Sequence, residues 1–136
     1  MGIAAIQAIV ETDVLEKATL EFQMNVIDTR RMMLTRKSGS AAENYSEVLA
    51  EWSSYDRRKK AGEEVTDHEE EVWGSFSWDA FVGEYENQTK EIQYQDRVLE
   101  LERDNLQTKL TAVTTRLESN EKMLNQNIEK EFNYAK

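Results

Sequence analysis

From Tyr85 onward the apolar residues fall into a seven-residue frame. Tyr85, Ile92, Leu99, Leu106 and Val113 form one row, and Leu110, Leu117 and Leu124 form the other. Repeated heptads flanked by charge define the narrow seam of a coiled coil rather than the wider stripe of a globular helix. The segment from Lys90 to Lys136 contains neither Gly nor Pro. The spacing predicts one uninterrupted helix over about 79–134, roughly 80 Å long at 1.5 Å per residue. Asn120 and Asn127 continue the first row; an Asn in such a seam sets register or oligomer state at a cost in stability, the alternative being that Asn105, Asn120, Asn125 and Asn127 are ordinary polar surface. Ile128 and Phe132 close the helix in a shifted frame, which predicts a different neighbour at that end.

A second row opens the chain. Ile3, Ile6, Val10, Leu20, Met24, Ile27 and Leu34 keep three- and four-residue spacings, with Asp13, Lys17 and Arg31 as polar interruptions in the same frame. This predicts a helix over about 3–37. Val14, Leu15 and Phe22 widen its stripe, which predicts more than one neighbour. Arg30, Arg31, Arg36 and Lys37 crowd its C-terminal end, where cations complement the helix dipole.

Lys37-Ser38-Gly39-Ser40 reads as a break, with Gly39 as a left-handed cap. Ser40 to Glu43 has the spacing of a capping box, predicting a second helix over about 41–60 whose apolar face is Tyr45, Val48, Leu49, Trp52 and Tyr55. The segment 61–78 is irregular. Within it Thr66 to Glu69 forms another capping box, sufficient for a turn or two of helix through Val72 and Trp73. Trp73, Phe76, Trp78 and Phe81 place four rings within nine residues. They read as a hydrophobic plug packed on the helices, or alternatively as a patch for a partner. Ser77 or Asp79 caps the long helix. The fold class is all-α, an elongated antiparallel helical hairpin or bundle forming one domain over residues 1–136.

Composition narrows the function. The 136 residues include no Pro, no Cys and five Gly, with a formal net charge of −10. The absence of Pro suits long helices. Without Cys there is no disulfide framework and no thiolate chemistry. The acidic balance disfavours nucleic acid and anionic membrane as partners. No stretch approaches the ~20 apolar residues of a membrane span. The start lacks the basic region and cleavage site of a secretory signal, and Ile6 occupies the position where a myristoylation motif needs Ser or Thr. Localisation is left open by these points; the expectation is a cytoplasmic protein or one exported by a route that needs no cleaved signal. His68 lies among Asp67, Glu69, Glu70 and Glu71, but consecutive residues on a helix point in different directions and do not converge on a metal. No triad, phosphate-cradling loop or paired carboxylate site emerges. The expectation is a non-enzyme with no cofactor and no metal.

The chain opens Met1-Gly2-Ile3-Ala4-Ala5-Ile6-Gln7-Ala8 and carries Leu106-Gln107-Thr108, Asn127-Ile128-Glu129-Lys130 and Phe132 near its end. In these residues it resembles a group of small bacterial helical proteins that begin Met-Gly-x-Ala-Ala-x-Gln-Ala. More loosely, the layout is similar to the axial filament subunits of type III secretion and flagellar systems. That resemblance implies export without a cleaved signal and polymerisation through paired terminal helices.

The expected function is therefore that of a structural or interaction protein. It self-assembles through its terminal seams into a homo-oligomer or filament. The alternative is a helical adaptor or secretion chaperone that takes up another protein's helix. The candidate interface comprises Ile6, Val10, Leu20, Ile27 and Leu34 from the first helix. The long helix contributes Ile92, Leu99, Leu106, Leu110, Val113, Leu117, Asn120, Leu124, Ile128 and Phe132. Trp73, Phe76, Trp78 and Phe81 complete it from the aromatic segment.

Overall fold

A computed structural model describes residues 2–135; Met1, which opens the motif just given, and Lys136 lie outside the described residues. The protein is all-α, with α1 at Ile3–Lys60, α2 at Asp67–Trp73 and α3 at Trp78–Ala135. Two compact units divide the chain. One combines residues up to Arg30 with those from Val98 onward, and the other is Arg31–Arg97.

In the first unit, α1 and α3 run antiparallel: Asp13 pairs with Arg116, and Asp28, further along α1, pairs with Arg103, earlier on α3. Each helix offers a row with alternating spacings of four and three. On α1 the row is Ile6, Val10, Asp13, Lys17, Leu20, Met24 and Ile27; Ile6, Asp13, Leu20, Met24 and Ile27 are buried. On α3 Val113 and Leu117 are buried, with Leu99, Leu106, Leu110 and Leu124 half-buried. Each large aliphatic side chain taken fully out of water contributes about 1.5–3 kcal/mol. The terminal helices thus satisfy their main seams within one chain.

The second unit shows one departure from the expected elements. α1 runs straight through Lys37–Ser40 as a 58-residue helix, so the separate helices expected over 3–37 and 41–60 are one. The reason lies in the frame. Leu34, Ser38, Ala41, Tyr45, Val48, Trp52 and Tyr55 continue the alternation of four and three without a slip, so the buried face never resets. A Gly inside a helix costs about 1 kcal/mol relative to Ala, too little to end a helix anchored on both sides. The Ser40–Glu43 spacing has nothing to cap, because mid-helix amide groups already bond to the carbonyls one turn back.

The real end of α1 is at Gly62, the one residue with positive φ among those described, at 76°. The Gly62 amide donates to the Lys59 carbonyl at 3.1 Å and the Glu63 amide to the Arg58 carbonyl at 2.9 Å. This pair of bonds is a Schellman cap. Thr66 then caps α2: its hydroxyl accepts from the Glu69 amide at 3.1 Å, and the Glu69 carboxylate accepts from the Thr66 amide at 3.3 Å. Ser77 starts α3, its hydroxyl accepting from the Ala80 amide at 3.2 Å.

Candidate interaction surface

Polar residues placed at seam positions find one another. The Asp13 carboxylate, 2% exposed, accepts from Arg116 Nε and from Asn120 Nδ2, each at 2.9 Å. Arg116 also donates to Glu16 at 2.7 Å. Its pKa is raised, first by the hydrogen bond to Asp13. Arg103 donates to Asp28 at 2.7 Å. In the second unit Arg31 reaches Asp96 with both Nε and Nη2, at 2.9 and 3.3 Å. That bond holds the Asp96 carboxyl below its ordinary range. These contacts select an antiparallel register by chemistry that an apolar seam lacks.

The aromatic segment packs as a plug within the second unit. Trp52 and Trp78 stack with centroids 5.0 Å apart, Tyr45 stacks on Phe81 at 5.9 Å, and Tyr45 meets Tyr85 at 4.5 Å. Phe76 and Trp73 meet edge to face with centroids 5.0 Å apart. Tyr45, Trp52 and Tyr85 thus extend the four rings of the local segment. α2, which fully buries no residue of its own, lends Trp73 to this plug and is held as well by charge. Arg58 pairs with Glu69, Lys59 pairs with Glu70, and the Tyr55 hydroxyl donates to Glu70 at 3.1 Å. The pKa values of Glu69 and Glu70 are lowered, first by their bonds to Arg58 and Lys59 respectively. His68 lines a shallow depression with Arg58, Ser54 and Trp73. Among the described residues no three metal-capable side chains cluster.

The candidate interface residues therefore divide. Ile6, Val10, Leu20, Ile27, Leu99, Leu106, Leu110, Val113, Leu117, Asn120 and Leu124 line the intrachain seam of the first unit. Leu34 and Ile92 are half-buried and buried in the second, which also holds the plug containing Trp73, Phe76, Trp78 and Phe81. Ile128 and Phe132 stay exposed.

A different set of residues is left on the outside. In the first unit Leu15 and Phe22 of α1 are 70% and 68% exposed, and Leu101 of α3 is 64% exposed. Phe22 and Val26 line an open groove with Gln23, Arg30, Glu102 and Asn105. On α1 they belong to an outer row, Leu15, Thr19, Phe22, Val26 and Thr29, which repeats the heptad alternation. The widened stripe noted in the sequence carried this signal on α1. Leu101 on α3 lies outside both heptad rows and carries no such signal.

The chain matches no known family model, no characterised protein and no solved structure. Among the described residues no helix is long and apolar enough to cross a membrane.

Proposed function

We propose that this protein works by helix-to-helix association, with its own copies as the first partner. The observation that carries this reading is the outer row of α1: exposed Leu15 and Phe22, half-buried Val26 and the exposed threonines Thr19 and Thr29 keep heptad spacing after the main seam is filled within the chain. Soluble surfaces scatter single apolar residues, whereas an ordered row of them marks an interaction site. The finer form of the proposal, a subunit of an exported filament, draws on the resemblance to axial filament proteins. Multi-angle scattering across a hundredfold concentration range, with negative-stain microscopy beside it, tests both levels. Mass that climbs with concentration supports self-association, and regular fibres support the filament. A constant monomer mass removes both.

A second reading, a helical adaptor, is favoured by the outer face of α3. Thr108, Thr111, Ala112 and Thr115 line a shallow hollow there. Their i, i+3, i+4, i+7 arrangement is that of a coiled-coil hole, open to a large side chain from a foreign helix. A stable one-to-one complex with a second protein, formed by a chain that is monomeric alone, would favour this reading.

A further inference from the structure

We infer that the outer row of α1 is the contact surface for a second copy of this chain, laid antiparallel about a two-fold axis between Phe22 and Val26. The inference rests on the self-association reading and names the face that performs it. Its basis is that the row is complementary to itself when reversed. In that arrangement Phe22 of one copy faces Val26 of the other, and Thr19 faces Thr29. Both pairings recur by symmetry, as an isologous contact requires. The flanking positions agree. Glu16 comes opposite Arg30 of the second copy, Arg30 opposite its Glu16, and Gln23 meets Gln23 beside the axis. Antiparallel helix pairs bring like flanking positions of the heptad together, and opposite charges there set orientation.

Three features of the structure support this occupant. Arg30 lines the groove beside Phe22 and Val26 and makes no ion pair or hydrogen bond among the described residues. Glu16 is 48% exposed at its side chain and uses one oxygen for Arg116, so the other is open to a second cation. The Thr19 and Thr29 hydroxyls donate to the carbonyls of Leu15 and Asn25, at 3.0 and 2.9 Å. With their hydroxyls already bonded, both threonines can present methyl groups to the contact and leave no orphan donor on burial. A parallel pairing fares worse, because it sets Glu16 of one copy against Glu11 of the other.

Sedimentation velocity on the whole chain tests the inference, with cross-linking as a geometric check. Phe22→Asp weakens self-association at least about tenfold, since a charge then occupies a desolvated layer. Glu16→Lys and Arg30→Glu each weaken it, and the double variant restores it. The natural chain has no cysteine, so Gln23→Cys offers a single reactive thiol. A short bis-maleimide joins two such chains, while Glu118→Cys, on the other side, yields little dimer. Far-ultraviolet circular dichroism checks that each variant keeps its helices. If the wild-type chain is monomeric throughout, the self-association reading falls and this inference with it. If the wild type associates but Phe22→Asp associates equally and Gln23→Cys does not cross-link, only this face is overturned.

Discussion

Asn120 donates a hydrogen bond to Asp13 at 2.9 Å although 107 residues separate them in sequence. Arg116, one turn before Asn120 on α3, takes the other oxygen of the same carboxylate. A buried carboxylate with two specific donors is satisfied in one register of the two helices only. A slip by a heptad would set Asp13 against Lys109 and Val113 or against Met123 and Asn127, exchanging one of its two donors for an apolar side chain, so the layer works against misalignment more than it adds stability.

Removing the donor and removing the carboxylate therefore differ in outcome. Asn120→Leu leaves one oxygen of a buried Asp13 unbonded and lowers stability by about 1–3 kcal/mol. Asp13→Leu removes the buried charge itself and leaves no charge stranded, because Arg116 is half exposed and keeps Glu16, so its cost should be smaller. Urea melts of the two variants distinguish these outcomes. A loss in Asp13→Leu as large as that in Asn120→Leu would contradict the account.

The glycines of α1 separate in the same way. At Gly39 an added Cβ meets nothing within 4 Å, and φ lies in the ordinary negative range. Gly39→Ala should raise stability by about 0.5–1 kcal/mol, because alanine is the better helix former. Gly62 holds the left-handed φ of 76° that closes the helix. Gly62→Ala should destabilise by about 1 kcal/mol or more. Thermal melts measure both, and opposite signs are expected.

Docking of α2 should depend on acid. Glu69 and Glu70 have folded-state pKa values below the ordinary 4.5. Groups shifted down contribute stability above the unfolded value and lose it as pH falls through the folded one. The clasp therefore holds at neutral pH and weakens below about pH 4.5. The bonds to Glu69 and Glu70 shift Arg58 and Lys59 up from their ordinary values, so their side of the pairing stays charged until strongly alkaline pH. The protection of the Asp67–Trp73 amides against hydrogen exchange, relative to their intrinsic rates at each pH, should fall on acidification and with added salt, ahead of the amides around Ile92. A uniform loss of protection across both would refute the clasp.

Seam and outer row give opposite phenotypes. Leu117 is buried at 7% exposure within its own chain. Leu117→Asp should cost several kcal/mol of folding stability, with a loss of helicity as well as of any assembly. Phe22→Asp should leave circular dichroism unchanged. Glu118→Ala, off both rows, should alter neither signal.

The periodicity of apolar residues made α3 legible as one long helix and α1 only as two pieces, and it placed Asp13, Lys17 and Arg31 in the frame of the α1 seam. Two local signals of the same kind then had opposite outcomes. The spacing from Thr66 to Glu69 caps a helix, and the spacing from Ser40 to Glu43 lies inside one. The frame on either side decides between them: Leu34, Ser38, Ala41 and Tyr45 continue unbroken, whereas no row crosses Gly62. Asp96 and Arg103 were not legible as seam residues, because a search for apolar repeats passes over charges. They complete the series Ile92, Asp96, Leu99, Arg103 and Leu106, and their partners Arg31 and Asp28 lie far away in sequence. The plug was legible only as its local rings. Tyr45 and Trp52 reach it from α1, and only the tertiary fold brings them there.

The threonines of this chain alter what its surface is made of. Thr12, Thr19, Thr29, Thr35, Thr89, Thr108, Thr111 and Thr115 each donate their hydroxyl to the carbonyl four residues earlier. Mean hydropathy, −0.75 here, scores residue types as though each offered all its polar atoms to water. A hydroxyl whose proton is already committed to its own backbone has less to offer solvent, while its methyl group remains. The helix surface is therefore oilier than its letters suggest. Whole-residue hydropathy scales would underrate the tendency of such helices to leave water for one another.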